Sequence, residues 1–189
     1  AARAIAGDVR ANENVALTAT HTLFAREHNR IVGQLPDSLS EQEKFEIARK
    51  VVGAMQQYIT YEAFLPSMGV DLPRSEGYRR GVDASISNEF AAVGYRAHSQ
   101  VHGAIAARAA AGTYSQAQLD AFRAAGLRVI PAGPQVLIVV PLNKAYVSPD
   151  LVEELDLGPI LLGLGTGPQY RNDEMIDDQL RSVLFQVPG

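Results

Sequence analysis

The sequence contains no cysteine, and this absence excludes several kinds of site at once. None of the 189 residues can form a disulfide, give a thiolate to a metal or act as a cysteine nucleophile. A cofactor that needs a soft ligand must therefore use one of the four histidines. These are His21, His28, His98 and His102.

Long apolar runs and an excess of basic residues are also missing. No run reaches the roughly 18 apolar residues of a membrane span, so no span is predicted. The net charge of -4 argues against a nucleic-acid binder, which normally has a basic patch. No internal repeat, phosphate-binding glycine loop, G-x-S-x-G or H-E-x-x-H occurs. The length is typical of one domain, and 47% apolar residues are enough for a sizeable core.

Apolar residues recur every three or four positions over much of the chain, which predicts a mainly helical protein. Two β-branched runs, 127–130 and 135–140, flank a Pro-Ala-Gly-Pro turn and predict one small hairpin. Residues 66–87 are predicted as a loop, and glycine and proline interrupt the apolar run 157–164. The predicted helices cover residues 12–35, 40–65, 87–105, 115–125, 151–155 and 172–185.

Arg10 and Glu13 place a cation and a carboxylate three residues apart where the first long helix is predicted to begin. Residues i and i+3 share a helix face, so both side chains can serve one pocket. The alternative is helix capping, because Asp8, Asn12 and Glu13 are all favourable first-turn residues. Ser40 and Glu43 likewise form a capping box for the second helix.

His98 lies in the predicted helix 87–105. It has the most open surroundings of the four histidines. Ala91, Gly94 and Val101 lie on its face, and such small residues leave room for a broad, flat group. His102 is one predicted turn further on, and an i,i+4 pair can chelate a metal. No nearby carboxylate completes such a site. His21 and His28 lie on an apolar stripe, where a histidine is usually a hydrogen-bonded core residue.

Four ordered blocks of the sequence carry a family resemblance. The blocks are AGDVRANENVALTATHTLFAREHNRIV at 6–32, ARKVVGAMQQYITYEAFLP at 48–66, SNEFAAVGYRAHSQVHG at 87–103 and RNDEMIDDQLRSVLFQVP at 171–188. They resemble the animal haem peroxidases of the peroxidase–cyclooxygenase superfamily, most closely a bacterial branch. The resemblance implies a mainly α, haem-peroxidase-like helical domain with one small β-hairpin. It further implies that residues 1–189 are the central portion of an incomplete catalytic domain.

The resemblance also implies roles for individual residues. Arg10 matches the family's distal arginine, which helps polarise hydrogen peroxide. Glu13 matches the glutamate that forms an ester with a haem methyl group in several members. Asn14 stands where some members have a methionine bonded to haem, so that link is not expected.

On the proximal side, His98 matches the family's iron ligand, and His102 is the fallback if the register is misjudged. Arg96 is a candidate contact for the haem propionates, although Tyr95-Arg96-Ala97 departs from the commoner order. The family's distal histidine and calcium-binding aspartate would precede Ala1, so the calcium site is not expected in this chain. The asparagine that bonds the proximal histidine would follow Gly189.

The implied function is that of a haem b peroxidase, which reduces hydrogen peroxide and oxidises a halide, thiocyanate or small phenolic donor. Secretion and a part in the response to oxidative stress are family expectations. The remaining segments of the same peroxidase are the expected partner; neither nucleic acid nor a membrane span is expected. Two alternatives remain, a non-catalytic peroxidase-like module and a relative of the fatty-acid dioxygenases.

Overall fold

The computed structural model describes residues 5–94 and 97–185, except for the side chains of 183–185. These residues divide into two compact units, one built from 5–23 and 97–185 and the other from 24–94. The described part is mainly helical with one small sheet, as predicted. Its helices are α1 Val15–Val32, α2 Glu41–Tyr58, α3 Leu65–Ser67, α4 Gln116–Ala124, α5 Leu142–Ala145, α6 Leu151–Leu155, α7 Leu157–Thr166 and α8 Asp178–Phe185, and its strands are β1 Ala104–Ala110, β2 Arg128–Ala132 and β3 Gln135–Pro141.

The sheet contains the predicted hairpin and one strand that was not predicted. Strands β2 and β3 pair from Ala132↔Gln135 onward, and Gly133 adopts a φ of 61° in the turn between them. Strand β3 is central, with β1 antiparallel on its other side. Its residues alternate in burial, and Val136, Ile138 and Val140 face the core.

The predicted helix 87–105 is wrong at its C-terminal end, because Ile105 belongs to β1. The helical backbone before it includes a π-turn, Phe90–Gly94. Alanine favours helix locally, yet the backbone of the alanine-rich strand β1 pairs with β3 over its whole length. The small side chains of β1 also let α7 approach closely, since Gly163 of that helix lies against the Ala106 carbonyl.

Helix α7 is continuous, although a broken segment was predicted there. Pro159 is its third residue, where the backbone N–H would have no acceptor inside the helix in any case. Leu157 and Ile160 of α7 are buried. The core of the first unit lies between this helix and the sheet, and its largest fully buried side chains are Val15, Ile138, Val140, Leu155 and Ile160.

Helix α8 begins at Asp178 instead of residue 172. The Asp177 carboxylate accepts a hydrogen bond from the Gln179 N–H at 2.8 Å, which caps the helix at its observed start. Upstream, Asp173 accepts a hydrogen bond from the Met175 N–H at 2.8 Å. Carboxylates that bind nearby N–H groups in this way stabilise turns at the expense of a longer helix.

The capping box predicted for α2 is confirmed, and a second box that was not predicted is observed at α4. At α2 the Ser40 Oγ accepts from the Glu43 N–H at 3.3 Å, and Glu43 accepts from the Ser40 N–H at 2.8 Å. Ser115 and Gln118 form the same box at α4, which Gly126 follows with a φ of 77°. Helix α6 is also observed as predicted.

The second unit contains the predicted loop, and residues 70–87 have neither helix nor strand. Helix α2 runs through a π-turn, Ile59–Phe64, into α3. His28 lies with its ring centroid 5.1 Å from that of Phe45. No helix of the described ranges is both long and apolar enough to cross a membrane.

Candidate functional site

A single turn of 3₁₀-helix, Val9–Asn12, positions Arg10 ahead of α1. Asp8 caps this turn and accepts from the Arg10 N–H at 2.9 Å. The Arg10 guanidinium returns to the same carboxylate, with Nη2 2.6 Å from Oδ2 and Nε 3.0 Å from Oδ1. Asp8 is therefore a cap, although of this 3₁₀ turn and not of the long helix, and the cap also orients Arg10.

The charges of this pair reinforce each other. The hydrogen bonds from the Arg10 side chain and N–H hold the pKa of Asp8 well below its usual range. In turn Asp8, and to a smaller extent Glu13, raises the pKa of Arg10. The Arg10 side chain is 76% exposed, so the pair fixes direction more than it adds stability.

Glu13 closes the 3₁₀ turn, and its N–H donates to the Arg10 carbonyl at 2.9 Å. Side chains three residues apart eclipse in a 3₁₀ turn, so Arg10 and Glu13 share a side without the predicted long helix. That helix starts later, at Val15, and Asn14 caps it by accepting from the Ala16 N–H at 2.9 Å.

The backbone around Glu13 is fixed by a second segment of the first unit. Its carbonyl accepts from the Val147 N–H at 2.8 Å, and Asn14 forms a β-bridge with Tyr146. Val147 has a φ of 54°, a strained conformation for a β-branched residue. Burial and then the Glu13 charge raise the pKa of Tyr146. The Glu13 carboxylate itself is on the exposed surface and makes no hydrogen bond within the described residues.

His98 lies in a short 3₁₀-turn, His98–Gln100, and not in the long helix predicted for it. The sequence continues in extended form to β1, so His102 is not one helical turn further on. The i,i+4 helical geometry needed for chelation is therefore lacking. Groups of three or more metal-ligating side chains are likewise absent from ranges 5–94 and 97–185.

The two neighbouring histidines have different surroundings. The His98 ring is half-buried and forms no hydrogen bond with any described residue. The His102 ring stacks on Tyr170, with centroids 3.8 Å apart, and its Nε2 is buried without a hydrogen-bond partner. His21 lies exposed on α1, so the expectation of a hydrogen-bonded core histidine is wrong at this position.

The predicted site residues fall into two groups within the first unit. Arg10 and Glu13 share the turn that precedes α1. The turn that contains His98 is instead bonded to the segment 170–177 by Ser99, whose hydroxyl donates to Asn172. No hydrogen bond or ion pair joins Arg10 to His98 in the part of the chain that the structure describes. Arg96 lies outside the described residues, so its predicted propionate contact stays a prediction.

Sequence reasoning missed the partners that hold these groups in place. Tyr146 and Val147 follow the hairpin and had no motif to single them out. Tyr170 was assigned to no element, and Asn172 was predicted as the start of the last helix.

Comparisons of sequence and of structure with known proteins both find peroxidases. The family model described as "Animal haem peroxidase" matches residues 2–189. The peroxidasin homolog pxn-2 of Caenorhabditis elegans is 33% identical over 96% of this chain and 13% of that protein. Mouse myeloperoxidase is 34% identical over 96% of this chain and 24% of its own length. Among solved structures, peroxidase A of Dictyostelium discoideum aligns with a TM-score of 0.69 and 27% identity, covering 88% of this chain and 29% of that one.

Proposed function

This chain belongs to the animal haem peroxidase family, and from that premise we propose that it contributes the iron ligand and a peroxide-binding cation to a haem-dependent peroxidase. The observation that supports this most directly is the contrast between the two neighbouring histidines. His98 presents a half-buried imidazole with no competing hydrogen bond among the described residues. The Nε2 atom of His102, in contrast, is buried.

The donor set fits haem. A neutral imidazole is the usual protein ligand of peroxidase haem. Cysteine, whose thiolate binds haem iron in other families, does not occur in the chain. We assign iron binding to His98, because binding through His102 Nε2 would first require displacement of its surroundings. When bound, haem supplies the electrons that cleave the O–O bond of hydrogen peroxide and recovers them from the donor.

Arg10 would stabilise the negative charge that develops on the leaving oxygen as this bond breaks. A fixed donor aimed at developing charge is effective because it needs no reorganisation during the reaction. The Asp8 carboxylate supplies that fixation through two guanidinium nitrogens of Arg10. It does so without removing the charge, since the pKa of Arg10 is raised.

Glu13 is the candidate for an ester with a haem methyl group. Its backbone is held on both sides, by the Arg10 carbonyl and by Val147. Its carboxylate is exposed and makes no hydrogen bond with a described residue, so it is free to react. Asn14 is committed to capping α1 and offers no sulfur for a second link.

The chain spans 13% to 24% of the length of the first two relatives it matches. We therefore propose that full activity requires the remaining segments of such a peroxidase, which would supply the distal acid–base group. General acid–base assistance typically contributes about 10²–10⁴-fold. A halide, thiocyanate or small phenol as electron donor, and a secreted location, are proposed from the family alone.

Haem binding tests the proposal directly. The purified chain is titrated with haemin, and the Soret band is followed in the wild type, in His98→Ala and in His102→Ala. We expect a saturable Soret shift that His98→Ala abolishes. His102→Ala removes the same ring four residues away together with its stacking on Tyr170, and it should weaken haemin binding without abolishing the Soret shift. A folded wild type that leaves the haemin spectrum unchanged would reject the proposal, and loss only in His102→Ala would reassign the ligand.

A further inference from the structure

The turn that contains His98 is tied to a segment that follows more than seventy positions later. The hydroxyl of Ser99 donates to Asn172 Oδ1 at 3.0 Å and accepts from the Asp173 N–H at 3.3 Å. The hydroxyl thus acts both as a donor and as an acceptor toward the same segment of the chain. We refer to residues 170–177 as the strap.

The strap has a second attachment at the other end of the same stretch. The His102 ring stacks on Tyr170 with an interplanar angle of 27°, and the Tyr170 hydroxyl donates to Asp177 at 3.3 Å. The Asp177 carboxylate lies where a Cβ atom at Gly103 would be, so glycine at this position lets the carboxylate approach the backbone closely. Contacts at Ser99, His102 and Gly103 therefore fix the stretch on both sides of residues 100–101.

A turn of three residues cannot orient a side chain by itself. Two backbone bonds close the turn, from the Gln100 N–H to the Ala97 carbonyl at 3.1 Å and from the Val101 N–H to the His98 carbonyl at 3.2 Å. The imidazole has no hydrogen bond of its own to any described residue. Metal-ligating histidines usually depend on outer contacts for their orientation, and removal of such contacts typically costs 10–100-fold in metal affinity or activity.

We propose that Ser99 is a positioning residue for His98, and that the strap, through Asn172 and Asp173, sets the direction in which the imidazole meets the haem iron. This inference rests on the proposed function, in which His98 binds that iron. It adds a further determinant to that function: the strap, which is bonded to the turn of His98, governs the strength and geometry of the iron–imidazole bond.

The haem-free protein tests the tether. Amide hydrogen exchange is compared in the wild type, Ser99→Ala, Ser99→Thr and Ser38→Ala, the last an exposed serine of the second unit. In Ser99→Ala we expect the Asp173 amide, which loses its acceptor, to exchange at least tenfold faster. Threonine, which keeps the hydroxyl, should restore protection, and Ser38→Ala should leave it unchanged. Unchanged protection at Asp173 in Ser99→Ala overturns the inference.

The haem-bound protein tests the positioning role. Haemin affinity and the iron–imidazole stretching band of the ferrous form are measured in the same variants and in Asn172→Ala, which leaves the His98 turn itself intact. We expect Ser99→Ala and Asn172→Ala to shift or broaden that band and to weaken affinity about 10–100-fold. Ser99→Thr should recover the wild-type band.

The outcomes separate the two proposals. A wild-type band in both Ser99→Ala and Asn172→Ala, with ligation lost in His98→Ala, overturns the positioning role and leaves the proposed function standing. An equal loss in Ser99→Ala and Ser99→Thr also overturns it, because the hydroxyl would then not be the feature that matters. Absence of haem ligation in the wild type refutes both.

Discussion

Gly163 of helix α7 lies so close to the carbonyl oxygen of Ala106 in β1 that a Cβ atom on residue 163 would overlap that oxygen. The contact involves main chain on both sides, so neither partner can rotate away. It sets the distance between the helix and the sheet that enclose the core of the first unit.

Gly163→Ala is therefore expected to destabilise the first unit. Overpacking a well-filled core typically costs about 1–3 kcal/mol, and a clash with backbone should lie at or above the upper end. The free energy of unfolding is measured by urea titration with a far-ultraviolet signal. Gly158→Ala is the control, because a Cβ at that position of the same helix meets nothing within 4 Å. Equal stabilities for the two variants would contradict the close approach.

Tyr114 predicts a specific weakness at alkaline pH. Its hydroxyl donates to the Leu155 carbonyl at 2.5 Å, and burial, followed by the Asp156 charge, raises its pKa to about 12. The unfolded chain loses this proton near pH 10, whereas the folded protein keeps it. The stability associated with Tyr114 is thus complete below about pH 10 and is lost as the pH rises toward 12.

Tyr114→Phe separates this effect from the other tyrosines. The variant leaves the Leu155 carbonyl without its partner and should lose about 1–3 kcal/mol at neutral pH. The unfolding free energies of wild type and variant are measured by denaturant titration at each pH. The difference between them should shrink from pH 9.5 upward. A difference that stays constant to pH 11.5 would show that the hydroxyl does not retain its proton.

Arg10 is expected to act on peroxide and not on haem binding. In a haem-loaded protein, Arg10→Ala should lower the rate constant for the spectral change after hydrogen peroxide addition by about 10²–10³-fold. Asp8→Asn should lower it less, because the cation remains but loses its orientation. Both are followed by stopped-flow absorbance at the Soret band.

Arg30→Ala is the matched control for that experiment. Arg30 is also an exposed arginine paired with a nearby carboxylate, with Nη2 2.7 Å from Glu27 Oε1. The Arg30→Ala variant should leave the rate constant of the peroxide reaction unchanged. A loss as large as that of Arg10→Ala would mean that a general charge effect, and not the Asp8-oriented guanidinium, is responsible.

Glu13 predicts a covalent link that survives denaturation. After turnover with peroxide, haem should remain with the wild-type chain in acidified acetone, whereas Glu13→Gln should release it, since an amide does not form the ester under these conditions. Glu27→Gln is the control, because the Glu27 carboxylate is already ion-paired with Arg30. This variant should retain the link. Free extraction of haem from the wild type would exclude the ester.

Local sequence signals predicted much of the fold, and non-local pairing explains where they failed. The box at Ser40 was predicted because it depends on residues three apart, which the sequence shows directly. Strand β3 shows its alternation directly in its apolar residues. The alanine-rich strand β1 has helical propensity and is a strand only because β3 pairs with it.

The candidate site shows the same division between local and distant information. Arg10, Glu13 and His98 were predicted because each lies in a block that matches a family. The bond between Ser99 and Asn172 joins residues 73 positions apart, and no spacing rule connects them. The ion pair of Asp8 with Arg10 is local, yet its geometry depends on a 3₁₀ turn where a regular helix was predicted.

Pro131 lies in β2, at one edge of the three-stranded sheet. A proline has no N–H group, so this edge cannot offer a complete ladder of hydrogen bonds to a fourth strand. At the opposite edge, helix α7 approaches the Ala106 carbonyl of β1. Both borders are thus poor templates for strand addition, which protects an apolar, β-branched hairpin from self-association during folding.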